Sequence, residues 1–211
     1  MARSPSFCGV ILAAGESSRM GRDKALLAWP PGPARRSTFL SATIELLQAP
    51  SDMVIVVAGK NADSLRPIVD AAAGYLVENR HPDRGQFSSL QVGLQEVLNH
   101  GRDAAIVALV DRPPAQPRTL ARLCEAFGDA YEGGKWAVVP EHGGRHGHPI
   151  LIGREMIEAF LRAPANSTAR EVEHSLEPRI LYVPVDDPNV VANVDTPEDY
   201  ERLAQGRVQT P

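Results

Sequence analysis

Continuous apolar runs that alternate with helical patterns constrain the fold of this chain more than any other feature. A run without polar alternation is typical of a strand covered on both faces, as strands of parallel sheets are. Such runs lie at 9–14, 53–58, 104–110, 136–139 and 180–185, and helical patterns lie at 38–48, 88–99, 118–127 and 155–161. This alternation indicates βαβ units, so the sequence predicts an α/β fold of Rossmann-like type, a three-layer sandwich with a mainly parallel central sheet.

The length of the chain bounds its organisation. Its 211 residues, 43% of them hydrophobic, suit a single domain with a sizeable core. Neither an internal repeat nor a linker interrupts the pattern. Residues 1–211 are therefore predicted to form one domain that ends in a loose tail at 206–211.

Charge and cysteine content argue against several classes of protein. A net charge of −4 does not suit a general nucleic-acid-binding protein, which carries an excess of basic residues. Cys8 and Cys124 are too few for a disulfide framework and indicate a reducing compartment. No apolar run approaches the roughly 18 residues of a membrane span, and the N-terminal residues lack the apolar core of a signal peptide. We therefore expect a cytoplasmic protein that binds neither nucleic acid nor a membrane.

A loop of small residues and cations follows the first apolar run. Ligands of open α/β sheets bind beyond the carboxyl ends of the strands, and Gly15 marks such an end. Small residues there let backbone N–H groups reach an anion, while Arg19 and Lys24 supply positive charge for phosphate oxygens. The spacing matches neither G-x-x-x-x-G-K-[ST] nor G-x-G-x-x-G. We interpret the loop as a cradle for a polyphosphate, and an ordinary solvated loop is the alternative.

Two aspartates stand where a metal ion would be useful. Asp111 comes directly after the run at 104–110, which places it at the ligand edge of the sheet. A carboxylate there repels a polyphosphate unless a cation lies between them, and Mg²⁺ takes one or two carboxylates together with phosphate oxygens. Asp195 is the second candidate, with Asn193 two residues before it and a helix start predicted at Thr196. The alternative is that both aspartates only cap local turns.

A glycine-rich segment at 141–149 is predicted to be a loop, and it carries His142, His146 and His148. Zinc is one interpretation of clustered histidines. No cysteine or carboxylate lies at a matching spacing, however, so a loop that contacts substrate is the favoured interpretation.

The segment 79–94 places Asn79, Ser88 and Ser89 at the approach to a helical pattern. Ser88 or Ser89 is predicted to cap that helix, because a serine hydroxyl accepts a hydrogen bond from an N–H group of the first turn. The free N–H groups of a helix start also suit a base or a phosphate. This segment is therefore a second candidate for contact with a nucleotide.

Taken together, these segments resemble one family. LAAGESSRMGRDK at 12–24 resembles the L-A-[AG]-G-x-S-x-R-M-G-x-x-K signature of the MobA-like nucleotidyltransferases, and within them the molybdenum cofactor cytidylyltransferases. Further matching segments follow in the family's order: NRHPDRGQFSSLQVGL at 79–94, LVDRP at 109–113, GRHGHPILI at 144–152 and NVDTPEDYERL at 193–203. The resemblance covers nearly the whole chain.

The resemblance implies a fold of the nucleotide-diphospho-sugar transferase type and a nucleotidyl transfer without a covalent protein intermediate. Catalysis then depends on positioning and on charge neutralisation. The implied catalytic residues are Arg19, Lys24 and Asp111, and the implied ligands of Mg²⁺ are Asp111 and Asp195. The implied nucleotide-binding residues are Leu12, Ala13, Ala14, Gly15, Arg19, Lys24, Asn79, Ser88 and Ser89. The implied acceptor-binding residues are Arg112, Gly147, His148 and Pro149.

Ala14 bears on the choice of nucleotide. By the resemblance, cytidylyltransferases carry L-A-A-G where guanylyltransferases carry L-A-G-G, and the extra methyl group leaves less room for a base. One methyl group supports a discrimination of roughly 1–3 kcal/mol. The prediction is transfer of CMP from CTP to the phosphate of molybdopterin, with GTP as the alternative nucleotide.

Departures from the family pattern bear on the acceptor. Val110 and Arg112 flank the metal aspartate where glycine and Met or Gln are usual, and the loop at 30–36 is longer and more basic than usual. Arg112 adds a cation that suits the phosphate of the acceptor. Another phosphorylated small molecule is the alternative acceptor, and a non-catalytic nucleotide- or cofactor-binding protein is the alternative class. The predicted partners are small-molecule substrates, with a transient contact to a molybdoenzyme or its chaperone.

Overall fold

A mixed, mostly parallel sheet of eight strands, with helices on both faces, forms the centre of the fold. The structure is a computed structural model that describes residues 6–32, 37–164 and 166–205. The predicted α/β sandwich with a mainly parallel central sheet is confirmed. The predicted tail at 206–211 and part of the predicted loop at 30–36 lie outside the described residues.

The strands follow one another along the chain as β1 (Phe7–Leu12), β2 (Ala28–Trp29), β3 (Ser37–Thr38), β4 (Ser51–Ala58), β5 (Tyr75–Glu78), β6 (Ala104–Leu109), β7 (Ala137–His142), β8 (Arg145–His146), β9 (Ile150–Gly153) and β10 (Ile180–Pro184). In the central sheet their order is β10-β7-β9-β6-β1-β4-β5, and β8 pairs with β7. β9 runs antiparallel to β6 and β7. The strands β2 and β3 form a separate antiparallel pair.

The helices are α1 (Phe39–Gln48), α2 (Ala62–Ala71), α3 (Gln86–Asn99), α4 (Pro117–Glu132), α5 (Arg154–Arg162), α6 (Ala169–Ser175) and α7 (Pro197–Ala204). Helices α1, α2 and α4 pack against one face of the sheet, and α3 and α5 pack against the other. β1 is covered on both sides, because Ile11 faces the first layer while Val10 faces the second. Among the residues that the structure describes, no helix has the length and apolar character that crossing a bilayer requires.

The two predicted helix starts have different outcomes. Thr196 caps α7 and forms a capping box with Asp199, as predicted. The prediction that Ser88 or Ser89 caps a helix is wrong, because α3 begins at Gln86 and both serines lie in its first turn. The cap is Gly85, whose φ of 90° is a conformation that favours glycine and turns the chain into the helix before either serine.

The sequence patterns missed several elements of the fold. α2 carries Pro67 in its interior, and β5 is an edge strand with Tyr75 43% exposed, so neither shows a clear apolar pattern. β9 and α6 are too short for periodicity to identify them. The predicted loop at 141–149 is wrong in part, because β7 extends to His142 and pairs with β8 in a hairpin.

The register of three parallel strands places the candidate site. Leu12 at the end of β1 is opposite Val57 of β4 and Leu109 of β6. The carboxyl ends of these strands therefore meet at one edge of the sheet. The segments that follow them along the chain leave this edge side by side, which brings the loop after β1 close to Asp111.

Candidate active site

Asp195 is the centre of a cluster of cations. Its Oδ1 lies 2.5 Å from Nζ of Lys24 and 3.3 Å from Nη2 of Arg19. Asn193 donates a hydrogen bond of 2.6 Å to the other carboxylate oxygen. Lys24 is nearly buried, at 9% exposure, whereas the Arg19 side chain is 71% exposed. A nearly buried lysine and an exposed arginine therefore meet at one carboxylate, as the interpretation of a phosphate cradle expects.

The local structure fixes both partners of the Lys24–Asp195 pair. Lys24 opens a short 3-10 helix, Lys24–Leu26, which is capped by the side chain of Asp23. The Lys24 N–H donates to the hydroxyl of Ser17 at 3.1 Å. The Asp195 N–H donates to Asp199 at 3.0 Å, next to the capping box of α7. The first loop and the last helix thus hold the two charges in place.

Asp111 lies beside this pair and is less well satisfied. Its backbone carbonyl accepts a hydrogen bond of 2.9 Å from Val194, which ties the segment before Asp195 to the end of β6. Its Oδ1 is buried and has no hydrogen-bond partner among the described residues. Burial raises the pKa of this carboxyl above its usual value, the nearby Asp195 also raises it, and the positive charges of Lys24 and Arg112 lower it.

This donor set suits a cation that needs few protein ligands. Within 6–32, 37–164 and 166–205, no group of three or more His, Cys, Asp or Glu side chains is placed to hold a metal ion. Asp111 and Asp195 supply carboxylate oxygens from two segments, and one of those oxygens is a buried acceptor without a donor. A cation that completes its shell with water and phosphate oxygens, as Mg²⁺ does, fits this arrangement better than zinc.

An asparagine that the sequence patterns missed holds the loop after β1. Asn61 donates to the carbonyl of Ala13 at 2.9 Å and to the carboxylate of Asp23 at 2.7 Å, and it accepts from the N–H of Gly59 at 3.0 Å. A side chain at position 59 would meet the Ala14 carbonyl at 2.9 Å, so the loops after β1 and β4 pack too closely for one. The only sequence signal is the glycine that follows the apolar run of β4.

Two cavities flank this loop. One of about 530 Å³ opens on its outer side and is lined by Ala14, Gly15 and residues of the loops that contain Asp23 and Asn61. One of about 240 Å³ lies between the end of β1 and the start of α3, where Leu12, Ala14, Gly15 and Ser89 line it. Leu12, Ala14 and Gly15 therefore face open space, whereas the side chain of Ala13 is buried in the core.

Asn79 and the serines of α3 mostly bind one another. The buried amide of Asn79 donates to the hydroxyl groups of Ser88 at 2.9 Å and Ser89 at 3.0 Å. Its oxygen accepts from the N–H of His81 at 2.9 Å, and Ser88 donates to the carbonyl of Gly85 at 2.8 Å. Asn79 and Ser88 thus shape the start of α3, and Ser89 is the member that reaches the 240 Å³ cavity.

The predicted histidine cluster is dispersed. Nδ1 of His142 lies 2.9 Å from the carbonyl of Val185, and the ring of His146 stacks on Tyr182 at 3.8 Å. His148 instead bonds toward the sheet, with its Nδ1 3.4 Å from the carbonyl of Val107. The three rings point to three different partners, so the zinc alternative is not supported.

A cavity of about 480 Å³ adjoins the 240 Å³ cavity, and Leu12, Gly85 and Gln86 line both. Its apolar wall includes Leu12, Phe87, Leu90, Val107, Leu109 and Ile150. Its polar rim includes Arg84, Arg112, His148, Thr168, Arg170 and Glu173. Burial raises the pKa of Glu173, while the charge of Arg170 lowers it. The sequence patterns did not predict α6, so they missed the residues that α6 contributes to this rim.

Arg112 and His148 both bind one backbone carbonyl at the rim of this cavity. Nη1 of Arg112 donates to the carbonyl of Val190 at 3.0 Å, and the N–H of His148 donates to the same carbonyl at 2.9 Å. Burial, together with the charge of Arg112, lowers the pKa of His148 to about 3, although the hydrogen bond to the Val107 carbonyl opposes this. Burial also lowers the pKa of Arg112, opposed by the charge of Asp111 and reinforced by Arg145.

The other predicted acceptor-binding residues have packing roles. Gly147 lies against the turn at Val190, where an added Cβ would lie only 2.1 Å from the Val190 carbonyl oxygen. Pro149 follows His148 and lines only a very small cavity, of about 10 Å³, beside Leu47 and Pro113. Of the predicted set, Arg112 and His148 are the members that reach the large cavity.

Comparison with known proteins identifies relatives of this arrangement. A family model described as the MobA-like NTP transferase domain matches residues 9–180. The chain is 29% identical over 209 residues to the probable molybdenum cofactor guanylyltransferase of Mycobacterium avium strain 104, covering 98% of this chain and 100% of that protein. It is 24% identical over 198 residues to the molybdenum cofactor cytidylyltransferase of Escherichia coli strain K12, covering 90% and 92%.

Solved structures also resemble this chain. Rv0371c from Mycobacterium tuberculosis H37Rv matches with a TM-score of 0.78 at 29% identity, covering 96% of this chain and 99% of that one. A complex of the same protein with manganese matches with a TM-score of 0.73 at 28% identity, covering 95% and 98%. The likeness therefore extends along nearly the whole length of both chains.

Proposed function

The chain belongs to the MobA-like NTP transferase family, and we propose that it transfers CMP from CTP to the phosphate of a molybdopterin-type acceptor. In the reaction, an oxygen of the acceptor phosphate attacks the α-phosphorus of the triphosphate. A new P–O bond forms there, the bond between the α-phosphorus and the α–β bridging oxygen breaks, and its electron pair leaves with pyrophosphate. The product contains a diphosphate that links the two substrates.

The observation that carries this proposal is the charge arrangement at the carboxyl edge of the sheet. Lys24 and Arg19 converge on Asp195, and beside them Asp111 keeps a buried oxygen without a donor. Paired cations beside paired carboxylates match a polyphosphate that binds together with a divalent ion. Such an arrangement is costly if it serves the fold alone, because a buried acceptor without a partner destabilises a protein by about 1–3 kcal/mol.

Each residue of the cradle has a part in the proposed reaction. Leu12, Ala14 and Gly15 hold the nucleotide at the end of β1, where the buried Ala13 supports them, with Ser89 across the 240 Å³ cavity and Asn79 and Ser88 behind it. Lys24 and Arg19 neutralise the triphosphate. When the nucleotide binds, they exchange part of their interaction with Asp195 for phosphate oxygens. Their positive charge is then in place to stabilise the negative charge that develops in the transition state.

Asp111 and Asp195 would hold the metal ion. We propose Mg²⁺, and the manganese complex of Rv0371C supports a divalent ion for a relative of this chain. A divalent ion bound there supplies charge neutralisation for the α-phosphate and for the leaving pyrophosphate. The raised pKa of Asp111 follows from its burial, and a cation beside its carboxylate removes that cost.

The choice of CTP rests on Ala14. This residue lines the cavity between β1 and α3, and its methyl group occupies space that a purine would need. The second candidate is GTP, which the name of the Mycobacterium avium relative favours. The two candidates share every other step and differ only in the base that this cavity accepts.

The acceptor is proposed to bind in the 480 Å³ cavity. Its apolar wall suits a flat heterocycle. On its rim, Arg112 follows Asp111 in the chain, and His148 shares the Val190 carbonyl with Arg112. Gly147 and Pro149 hold His148 in position. The cytoplasmic location and the transient contact with a molybdoenzyme or its chaperone remain predictions of this proposal.

Calorimetric titration of CTP and GTP, each with and without Mg²⁺, tests the nucleotide site. We expect binding that requires Mg²⁺ and is tighter for CTP than for GTP. Tighter binding of GTP would replace CTP as the substrate, and no binding of either would overturn the nucleotide site. Release of pyrophosphate on addition of molybdopterin then separates an enzyme from a non-catalytic binding protein.

A further inference from the structure

Two arginines from distant segments are anchored on one turn. Nη1 of Arg112 donates to the carbonyl of Val190 at 3.0 Å, and Nη2 of Arg145 donates to the carbonyl of Val191 at 3.5 Å. These consecutive carbonyls belong to the end of the 3-10 helix Pro188–Val190 and the residue after it. The turn therefore holds two guanidinium groups side by side, with Arg112 brought by the end of β6 and Arg145 by the hairpin.

Both guanidinium groups keep buried donors that nothing satisfies. Nε of Arg112 and Nη1 of Arg145 are buried, and neither has a hydrogen-bond partner within the described part of the chain. A desolvated donor without an acceptor is unfavourable, and two like charges at close range add to that cost. The charge of Asp111 offsets part of this cost for Arg112, and an anion that accepts hydrogen bonds from both guanidinium groups would remove the rest.

The position of the pair separates it from the cations of the cradle. Lys24 and Arg19 approach Asp195 from the loop after β1, whereas Arg112 follows Asp111 and lines the 480 Å³ cavity with His148. The carboxylates of Asp111 and Asp195 thus have one pair of cations on the side of the loop and Arg112 on the side of that cavity, with Arg145 beside Arg112. Two anionic groups that must meet at one metal ion need this division of positive charge.

We propose that Arg112 and Arg145 together form a phosphate site that holds the attacking phosphate of the acceptor. This inference rests on the proposed function and deepens it, because it requires an acceptor that ends in a phosphate monoester. Planar guanidinium groups suit this ligand, since each offers two parallel N–H groups to phosphate oxygens. Arg145 is the residue that this proposal adds to the site. Its buried Nη1 supplies a second unpaired donor beside Nε of Arg112.

Titration of inorganic phosphate by calorimetry tests the pair without requiring turnover. The proteins compared are the unchanged chain, Arg145→Gln, Arg145→Lys and Arg112→Gln, each also in a Lys24→Met background that removes the main cation of the cradle. Arg66→Gln is the matched control, because Arg66 is exposed on α2 and distant from the turn. Thermal unfolding of each variant verifies that it is folded.

We expect Arg145→Gln and Arg112→Gln each to weaken phosphate binding by at least about 10-fold in both backgrounds, the scale of a lost hydrogen bond to a charged group. Arg145→Lys keeps the charge and should lose less, and Arg66→Gln should lose nothing. Phosphate affinity within twofold of the parent in Arg145→Gln would overturn the site, and if that variant does not fold, the same result in Arg145→Lys together with Arg112→Gln would do so.

Titration of pyrophosphate and of the Mg²⁺-bound nucleotide distinguishes the acceptor from the leaving group. Arg145→Gln should leave both affinities unchanged. If it weakens them as much as it weakens phosphate binding, the pair holds the leaving group and the acceptor assignment is wrong. A chain that binds phosphate through these arginines but binds no nucleotide would contradict the proposed function and leave the phosphate site standing.

Discussion

Nζ of Lys24 lies 2.5 Å from Oδ1 of Asp195, although 171 residues separate them in the chain. The contact joins the loop after the first strand to the segment before the last helix. It neutralises a carboxylate that the proposed metal ion would bind, so it is the interaction that a bound nucleotide must rearrange. The pair therefore couples the two halves of the proposed catalytic site.

Replacement of Lys24 by Met should remove the main cation of the cradle. The side chain keeps most of its length and packing, so the change is chiefly one of charge. We expect kcat/KM for nucleotidyl transfer to fall by about 100-fold or more, as for other groups that stabilise transition-state charge. Steady-state release of pyrophosphate measures the effect.

Lys135→Met is the matched control for Lys24→Met. Lys135 donates a hydrogen bond of 3.0 Å to the carbonyl of Pro178 and lines neither cavity beside the loop after β1. It should change kcat/KM by less than about twofold if the loss in Lys24→Met reflects the cradle. Unchanged kinetics in Lys24→Met would remove this lysine from the site.

Asp111→Asn should separate stability from activity. Its Oδ1 is buried without a donor, and burial raises the pKa of the carboxyl, so the ionised form is costly in the protein without metal. An amide of nearly the same shape removes the buried charge, although not the unpaired oxygen, so we expect the free energy of unfolding at pH 7 to rise. Activity should be lost at the same time.

Added Mg²⁺ and nucleotide provide the second measurement on Asp111→Asn. They should raise the Tm of the unchanged protein and leave that of the variant nearly unchanged, because ligands that bind only the folded state stabilise it by mass action. An undiminished Mg²⁺ requirement for catalysis in Asp111→Asn would show that this carboxylate is not a metal ligand.

Most of the strands that the sequence predicts are covered on both faces, and the edge strand β10 is an exception. β1, β4 and β6 read as continuous apolar runs because helices cover both of their faces. β5 at the opposite edge is exposed at both of its ends, and β9 is buried but only four residues long, so neither shows a recognisable run. Their existence depends on neighbours that only the folded chain supplies.

The same limit applies to the candidate site. Lys24, Asp111 and Asp195 can each be recognised from a strand end or a helix start, and the family signature adds their common purpose. Asn61 has no such signal, and Arg145 lies in the family-like segment at 144–152 without a spacing that predicts its contact, because the partners of both are backbone groups far away in the chain, at Ala13 and Val191. Hydrogen bonds to distant carbonyls have no signature in sequence spacing.

Ala14→Gly should shift the nucleotide preference toward GTP. The change removes a methyl group from the wall of the 240 Å³ cavity, and one methyl group supports about 1–3 kcal/mol of discrimination. We expect the ratio of CTP to GTP affinity to fall by about 10-fold in calorimetric titrations. Ala73→Gly, a second alanine-to-glycine change at an exposed position with φ of 52°, should leave the ratio unchanged. An equal shift of this ratio in both variants would mean that Ala14 does not determine which base binds.

His148 should make the stability of the protein sensitive to acid. Burial first, and then the charge of Arg112, lowers the pKa of His148 to about 3, whereas the unfolded chain has the ordinary value near 6.5. Between these two values the unfolded state binds a proton that the folded state does not, so stability falls as pH falls through this window. The expected loss reaches about 2 kcal/mol by pH 5 from this residue alone.

Urea unfolding of the unchanged protein and of His148→Gln at pH 7.5, 6 and 5 measures this loss. The free energy of unfolding of His148→Gln, relative to that of the unchanged protein, should rise by about 2 kcal/mol on going from pH 7.5 to 5. A constant difference would mean that His148 takes up its proton as readily in the folded chain as in water, and the neutral ring that we place at the acceptor cavity would be wrong.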